Sequence, residues 1–458
     1  MHTSLGPFGR RFPIQNSTFR VIGVVGLVFG SLIPSIVFGQ TLYKTQSGAD
    51  PRETGKNAAN ITVETNPEAD PGGSRDPERV DESYQPKGIE FGQFLVLPEL
   101  EFEERYNSNV FALANDPKGD FITRIAPEVQ ARSRFKEHAL NLRAGLEQNL
   151  YRRFDDDNHM NAFVTATGRY DFDRNWEANA LLETRLQHED RGSPDDAGGE
   201  EQTPVYSVTG ELGSEQTAGR YKFSESLRAV RYTFGDVDAG SGSSINNSDR
   251  DRIELVGTGR ASYEMFPGYS AVGQLQGNVR QYDDSVDDAG VDRSSQGVRA
   301  EAGIGVDITQ LIRGDFLVGY FRQDYSDPTL SDPAGPAVRA VFNWTPSRLT
   351  VVVPSFERSV QETTTTGASG MVRTGGSLLV RHEYARNIVI TGVTSVFHDD
   401  FDGAGRENWT YDGRVRLIWA LAPEYYVGGE LSYRQRTSNI ETSEYDQYVA
   451  SLRFGLRM

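Results

Sequence analysis

From Trp409 to the C-terminus, apolar and polar residues alternate with a period of two. Trp409, Tyr411, Gly413, Val415, Leu417 and Trp419 take one face, and Thr410, Asp412, Arg414 and Arg416 take the other. After a break at Leu421-Ala422-Pro423-Glu424, Tyr425, Val427, Gly429, Leu431 and Tyr433 alternate with Gly428, Glu430, Ser432 and Arg434. A third run sets Tyr448, Ala450, Leu452, Phe454, Leu456 and Met458 against Ser451, Arg453 and Arg457. Successive side chains of a strand point to opposite faces, so each run predicts a strand that is apolar on one side and charged on the other. These strands are roughly twice the usual globular length of about 5–6 residues. Long strands with aromatic ends and small or aliphatic centres predict a transmembrane β-barrel, closed by the last strand.

The same alternation begins at Phe94 and predicts about 18 strands in an all-β, antiparallel, up-and-down barrel. Connections alternate in length along the chain. Short ones, such as Arg134–Glu137, Asp173–Arg174, Met265–Pro267, Thr345–Ser347 and Ala422–Glu424, are separated by long polar ones such as His188–Thr203, Gly235–Asp251, Asp283–Ser294 and Gln361–Gly370. That asymmetry matches periplasmic turns opposed to extracellular loops. A propeller would repeat at about 40–45 residues, and no such repeat is found.

The segment before the barrel divides in two. In residues 1–40, Arg10, Arg11 and Arg20 precede an apolar run, Val21 to Phe38, that ends in small residues around Gly39. This is the order of a secretory signal peptide. Residues 41–90 are rich in Asp, Glu, Pro, Gly, Asn and Thr, a composition that cannot bury enough apolar surface to fold alone. They are expected to form an unstructured acidic periplasmic tail ahead of a barrel over residues 91–458. Such a tail cannot serve as the folded plug of a plugged-barrel receptor.

Composition narrows the function further. The chain has no Cys, which removes disulfides and thiolate metal sites. A formal net charge of −18 argues against nucleic acid as partner. The expected surroundings are outer-membrane lipid and lipopolysaccharide of a Gram-negative cell. His159 follows Asp155-Asp156-Asp157 and His398 precedes Asp399-Asp400, but no metal-ligand spacing recurs. Asp400-Phe401-Asp402-Gly403 lacks the spacing of an EF-hand. Gly257-x-Gly259 and Gly303-x-Gly305 sit within alternating strands with no helix after them, so they are strand glycines. No nucleophile motif or cofactor fingerprint occurs, and an enzyme is not expected.

The polar face therefore carries the candidate chemistry. The alternation points Arg260, Arg280, Arg299, Arg381, Arg414, Arg416, Arg434, Arg453 and Arg457 inward, with Glu254, Glu301, Glu383 and Glu430. Opposite charges on a lumen wall can simply pair and brace it. Alternatively the arginines form a track for an anionic or hydroxyl-rich solute, because guanidinium forks match carboxylate geometry. Barrels of this strand number leave an aqueous channel.

Several short motifs resemble those of the β-barrel porin type 2 family. They are Tyr106-Asn107-Ser108-Asn109-Val110-Phe111 after the first strand, Trp344-Thr345-Pro346-Ser347 at a turn, Glu362-Thr363 with Gly367-Ala368, His382-Glu383, Arg406, and Arg434 with Ser438-Asn439. Ser108 stands where an acidic residue is expected, and Met458 where barrels usually end in an aromatic. The resemblance runs from about Phe94 to Met458. It implies an outer-membrane pore that partners periplasmic polysaccharide-export components and passes exopolysaccharide or capsular polysaccharide. Two other functions compete with export: a diffusion or uptake porin for small solutes, and a structural or adhesive barrel acting through its loops. An inward-folded long loop favours the uptake porin, because constriction is how such pores select. A wide lumen favours export.

Overall fold

The computed structural model describes residues 82–458 apart from 240–241 and 309–310, plus a pairing of Thr45–Gln46 with Asn60–Ile61. The expected signal peptide and most of the expected tail lie outside the described residues.

Eighteen long strands follow one another: β1 (Phe94–Asn107), β2 (Asp120–Ser133), β3 (Ala139–Tyr151), β4 (His159–Asp173), β5 (Trp176–His188), β6 (Pro204–Ala218), β7 (Tyr221–Phe234), β8 (Arg252–Phe266) and β9 (Tyr269–Tyr282). The second half comprises β10 (Ser295–Ile308), β11 (Ile312–Tyr325), β12 (Ala334–Ser347), β13 (Thr350–Gln361), β14 (Met371–Ala385), β15 (Ile388–Phe401), β16 (Arg406–Ala422), β17 (Tyr425–Ser438) and β18 (Tyr445–Arg457). Each pairs antiparallel with its neighbours, and β18 closes the barrel on β1, with Val449 opposite Asn107 and Arg457 opposite Glu99. Closure leaves no free edge, which a strand protein in lipid requires because hydrocarbon offers its backbone no partners.

The sequence period fixes which side is which. Leu212, Leu431 and Leu452 point outward and stay 67%, 67% and 75% exposed, whereas alternate neighbours such as Arg381 (1%) and Arg453 (6%) are buried inside. Aromatics gather at both ends of the outer face. Phe172 stacks on Trp176 and Tyr221 meets Tyr263 near the short turns, while Tyr106–Phe121 and Tyr433–Tyr448 lie near the long loops. These are the girdles an interface demands. Gly268 has φ +82°, as the tight turn from β8 to β9 requires. Gly303 is indeed a strand glycine: a Cβ there would run into the Phe316 carbonyl of β11.

Residues 82–91 correct the expected start of the barrel at 91. A short 3-10 turn, Glu82–Tyr84, precedes a strand, Ile89–Phe91, that folds back onto Phe94–Val96. Tyr84 packs on the lumen-facing Val389 and Ala420, and its carbonyl accepts from Arg457 Nη2 at 2.9 Å. Tyr84 supplies apolar surface that the acidic residues before it lack, while Ile89 and Phe91 stay exposed.

The assignment of faces has a direct check. Leu417 is outward and 41% exposed, near the middle of β16. Leu417→Arg is expected to cost about 2–4 kcal/mol, the penalty for a basic residue facing lipid at midplane. Arg416→Leu should be much milder, because Arg414 and Arg453 still face Glu430. The yield of heat-modifiable barrel in outer membranes compares them. Equal losses would mean a register slipped by one residue.

Candidate functional site

Inside, the wall is held by ion pairs rather than by a hydrophobic core. Arg414 and Arg416 share Glu430 at 3.5 and 2.7 Å. Glu430 also lies 3.7 Å from Arg453 of β18, which reaches Glu101 and Glu103 of β1 at 3.8 and 3.7 Å. Arg124 of β2 takes up the other side of those acids, 2.6 Å from Glu101, and bridges to Glu147 of β3 at 2.7 Å. Asn161 of β4 donates to Glu147 at 3.3 Å and meets His188 of β5 at 3.0 Å. One belt of alternating charge thus crosses six consecutive strands, from β16 through the β18–β1 seam to β3, and Asn161 and His188 extend it by hydrogen bonds to β5. Strand pleating makes it possible, since residues opposite one another on adjacent strands share a face.

The facing wall repeats the principle. Arg260 pairs with Asp315 at 2.7 Å, Arg299 with Glu301 at 2.5 Å, and Arg381 with Glu383 at 3.1 Å. Glu254 pairs with Arg252 at 2.8 Å. Arg280 holds Glu362, which follows β13 and also accepts from Tyr282 (2.9 Å) and Tyr325 (3.1 Å). Back on the belt's own strands, nearer the long loops, Arg434 of β17 pairs with Asp412 of β16 at 3.0 Å. Eight of the nine candidate arginines of the sequence reading therefore face the lumen beside an acid, and Glu254, Glu301, Glu383 and Glu430 face it with them; Arg457 donates instead to the Pro423 and Tyr84 carbonyls at 3.0 and 2.9 Å. Glu101, Glu103, Arg124 and Glu147 belong to the same belt but were not among the candidates. The same period-2 pattern over 94–107 exposes two of them, Glu101 and Glu103 alternating with Leu100 and Phe102.

The loop from β5 to β6, residues 189–203, does not stand out into solvent. Asp190 reaches Arg434 of β17 at 3.3 Å, six strands round the barrel from β5. Asp195 Oδ1 accepts from Thr363 Oγ1 at 2.6 Å and from the Thr364 backbone at 2.8 Å, beyond β13 and eight strands from β5 in the other direction. A loop whose neighbouring residues touch both of these places lies over the mouth of the lumen, where it meets the loop after β13, itself drawn back by Arg280 on Glu362 and Arg293 on the Thr363 carbonyl. It is locked at its base as well: Glu189 pairs with Arg250 at 2.9 Å and Arg191 with Asp157 at 2.6 Å. The N–H of Glu200 donates to the Asp238 carbonyl at 2.7 Å, tying it to the neighbouring loop. No local pattern announces this fold-back, because its partners are far away in sequence.

Burial pushes the Asp196 carboxyl up to about 6, against the opposing pull of Arg191, and raises those of Glu189 and Asp157. An acid whose value is raised in the packed state favours that state while protonated. The preference is fully present near pH 4 and is lost as pH rises through about 6. The inward loop should therefore tighten on acidification. Single-channel current is expected to fall between pH 7 and pH 5, and Asp196→Asn to abolish most of that fall. A current that rises on acidification would contradict the assignment.

Among the described residues no group of three or more His, Asp or Glu could hold a metal. His159 is occupied by Asn149 (3.2 Å) and the Asp157 carbonyl (2.8 Å), and Asp402 accepts from Ser331 at 2.8 Å.

A closed antiparallel barrel, greasy outside and charged within, defines an outer-membrane β-barrel of the porin class. The chain belongs to the family described as "Putative beta-barrel porin 2", which it matches over residues 82–458. No curated protein matches it. Among solved structures it is similar to the outer membrane protein OpdK from Pseudomonas aeruginosa, with 11% identity over 79% of this chain and 99% of that one and a TM-score of 0.45. OprD of the same organism shows 11% identity over 83% and 98% of the two chains, with a TM-score of 0.41.

Proposed function

We propose that the protein is a diffusion pore for small solutes, constricted by the loop 189–203. The observation that carries this reading is the seating of Asp190 on Arg434 and of Asp195 on Thr363 and Thr364 from one loop. A loop fixed across the mouth narrows the path to something a small solute threads. An extended polysaccharide would have to displace it. The charged belt beneath supports the same reading, since its arginines are tied to acids and line the wall as fixed, alternating charge. Export of exopolysaccharide with periplasmic partners, the reading implied by the family resemblance, needs a wider path.

The two are separated by one pair of measurements in the native host. Deletion of the gene is expected to reduce uptake of small charged solutes while leaving surface polysaccharide intact. Loss of polysaccharide with unchanged small-solute permeability would overturn the diffusion reading in favour of export.

A further inference from the structure

Three lumen side chains beneath the inward loop have buried polar atoms without a hydrogen-bond partner: Thr410 Oγ1 on β16, Arg436 Nε on β17 and Tyr445 OH on β18. They are in register. Thr410 stands opposite Arg436, and Arg436 opposite Tyr445, so the three form one row across adjacent strands on the lumen face. Arg436 is 8% exposed and Tyr445 5%. The guanidinium lies 5.0 Å over the Tyr445 ring, which covers its face and leaves its N–H edge. Among the described residues neither Arg436 nor the nearby Arg406 forms an ion pair, whereas Arg434, on the same strand, has both Asp412 and Asp190. Arg406 is near enough to Arg436 for the two to repel, and it also feels the charges of Asp195 in the inward loop and of Asp399.

Buried guanidinium charge without an acid is costly, and buried polar atoms are nearly always satisfied, so an orphaned row asks for a ligand. All three groups can donate, and one is a fixed cation, which excludes a metal ion and calls for a negatively charged acceptor. Water could serve the two hydroxyls but not the charge. Gly192 of the inward loop covers the row: a side chain there would put its Cβ 2.6 Å from Tyr445 OH. Asp190, two residues earlier, already presents a carboxylate to the neighbouring Arg434.

We propose that the Thr410–Arg436–Tyr445 row is a binding site for a small oxyanion, a carboxylate or phosphate group, which enters when the loop lifts Gly192 from Tyr445. The proposal rests on the diffusion-pore reading for the route by which the ligand arrives. Binding at the row competes with the loop for the same part of the wall, so the anion holds the constriction open.

The test is titration calorimetry on the folded full-length protein in detergent, with sodium phosphate and sodium acetate as separate probes at constant ionic strength. Saturable binding of at least one probe is expected. Arg436→Gln should weaken it by about tenfold or more, the loss of a hydrogen bond to a charged group. Arg436→Lys should recover part of that loss, Tyr445→Phe should weaken binding severalfold, and the exposed Arg322→Gln should leave it unchanged. Binding of phosphate alone identifies a phosphate site, and binding of both probes a general oxyanion site. If Arg436→Gln does not give heat-modifiable protein, Tyr445→Phe and Thr410→Val carry the comparison. No saturable binding, or equal binding in wild type and the row variants, overturns the proposal. Planar-bilayer current on the same samples separates the two readings. A conducting pore that binds neither probe keeps the pore and loses the site, and binding without current does the reverse.

Discussion

Arg124→Met should be the most damaging single change in the lumen, costing the barrel about 3–5 kcal/mol, the range for breaking a buried ion pair by removing one partner. Arg124 is 2% exposed and stands between Glu101, Glu103 and Glu147, themselves 5%, 6% and 1% exposed. Methionine fills similar volume, so little of the loss is packing. What remains is three acids with fewer cations: Arg105, 3.3 Å from Glu103, and Arg453, 3.8 and 3.7 Å from Glu101 and Glu103. Denaturant midpoints of the detergent-folded barrel, followed by heat-modifiable mobility, give the measurement. Arg322→Met is the comparison, since Arg322 pairs with Asp324 and Asp332 in full contact with water and should barely move the midpoint. Adding Glu147→Gln and Glu101→Gln to Arg124→Met should restore much of the loss by removing the stranded charges. A midpoint for Arg124→Met equal to wild type would mean that water reaches this belt freely and that the wall does not depend on it.

The belt also explains how much of this molecule is legible in its sequence. Strand number and faces follow from the period-2 pattern because one face must meet lipid and the other water, and a one-residue slip would exchange every side chain. The connections expected from the alternation lie within three residues of the observed ones. At the end of β6, Ser214 and Gln216 occupy outward positions and blur the pattern. The strand nevertheless runs on to Ala218, stapled by Trp176 Nε1 donating to Ser214 Oγ at 3.2 Å. The inward direction of the arginines is readable for the same reason. Their partners are only partly so: Glu430 lies one strand from Arg416, but Glu362 follows β13 and reaches back to Arg280 on β9. Least legible is the loop 189–203. Its composition reads as a solvated polar loop, and only Asp190 meeting Arg434 and Asp195 meeting Thr363 disclose that it turns inward. Charge that looks like solvent contact in a loop is here spent on contacts across the lumen.

The second large effect is expected from that loop. Replacing residues 190–202 by a short Gly-Ser connection should leave the barrel intact, because β5 and β6 are already paired from Trp176–Gln216 to His188–Pro204. The closing entropy of a shorter connection is small. With the crossing removed, the lumen opens toward the unobstructed channel that 18 strands can enclose, and single-channel conductance should rise severalfold. Asp195→Ala is the finer probe. It frees the far end from Thr363 and Thr364 while Glu189–Arg250 and Arg191–Asp157 still hold the base, so brief openings to the larger level are expected rather than a steady one. Liposome swelling with sugars of increasing size then asks what the crossing excludes. The shortened variant should admit sizes that wild type rejects, while Asp195→Ala admits them slowly. Unchanged conductance and unchanged size cut-off in the shortened variant would place the constriction elsewhere, at the belt from Arg416 to Arg124, and the loop would then be a brace for the mouth rather than its gate.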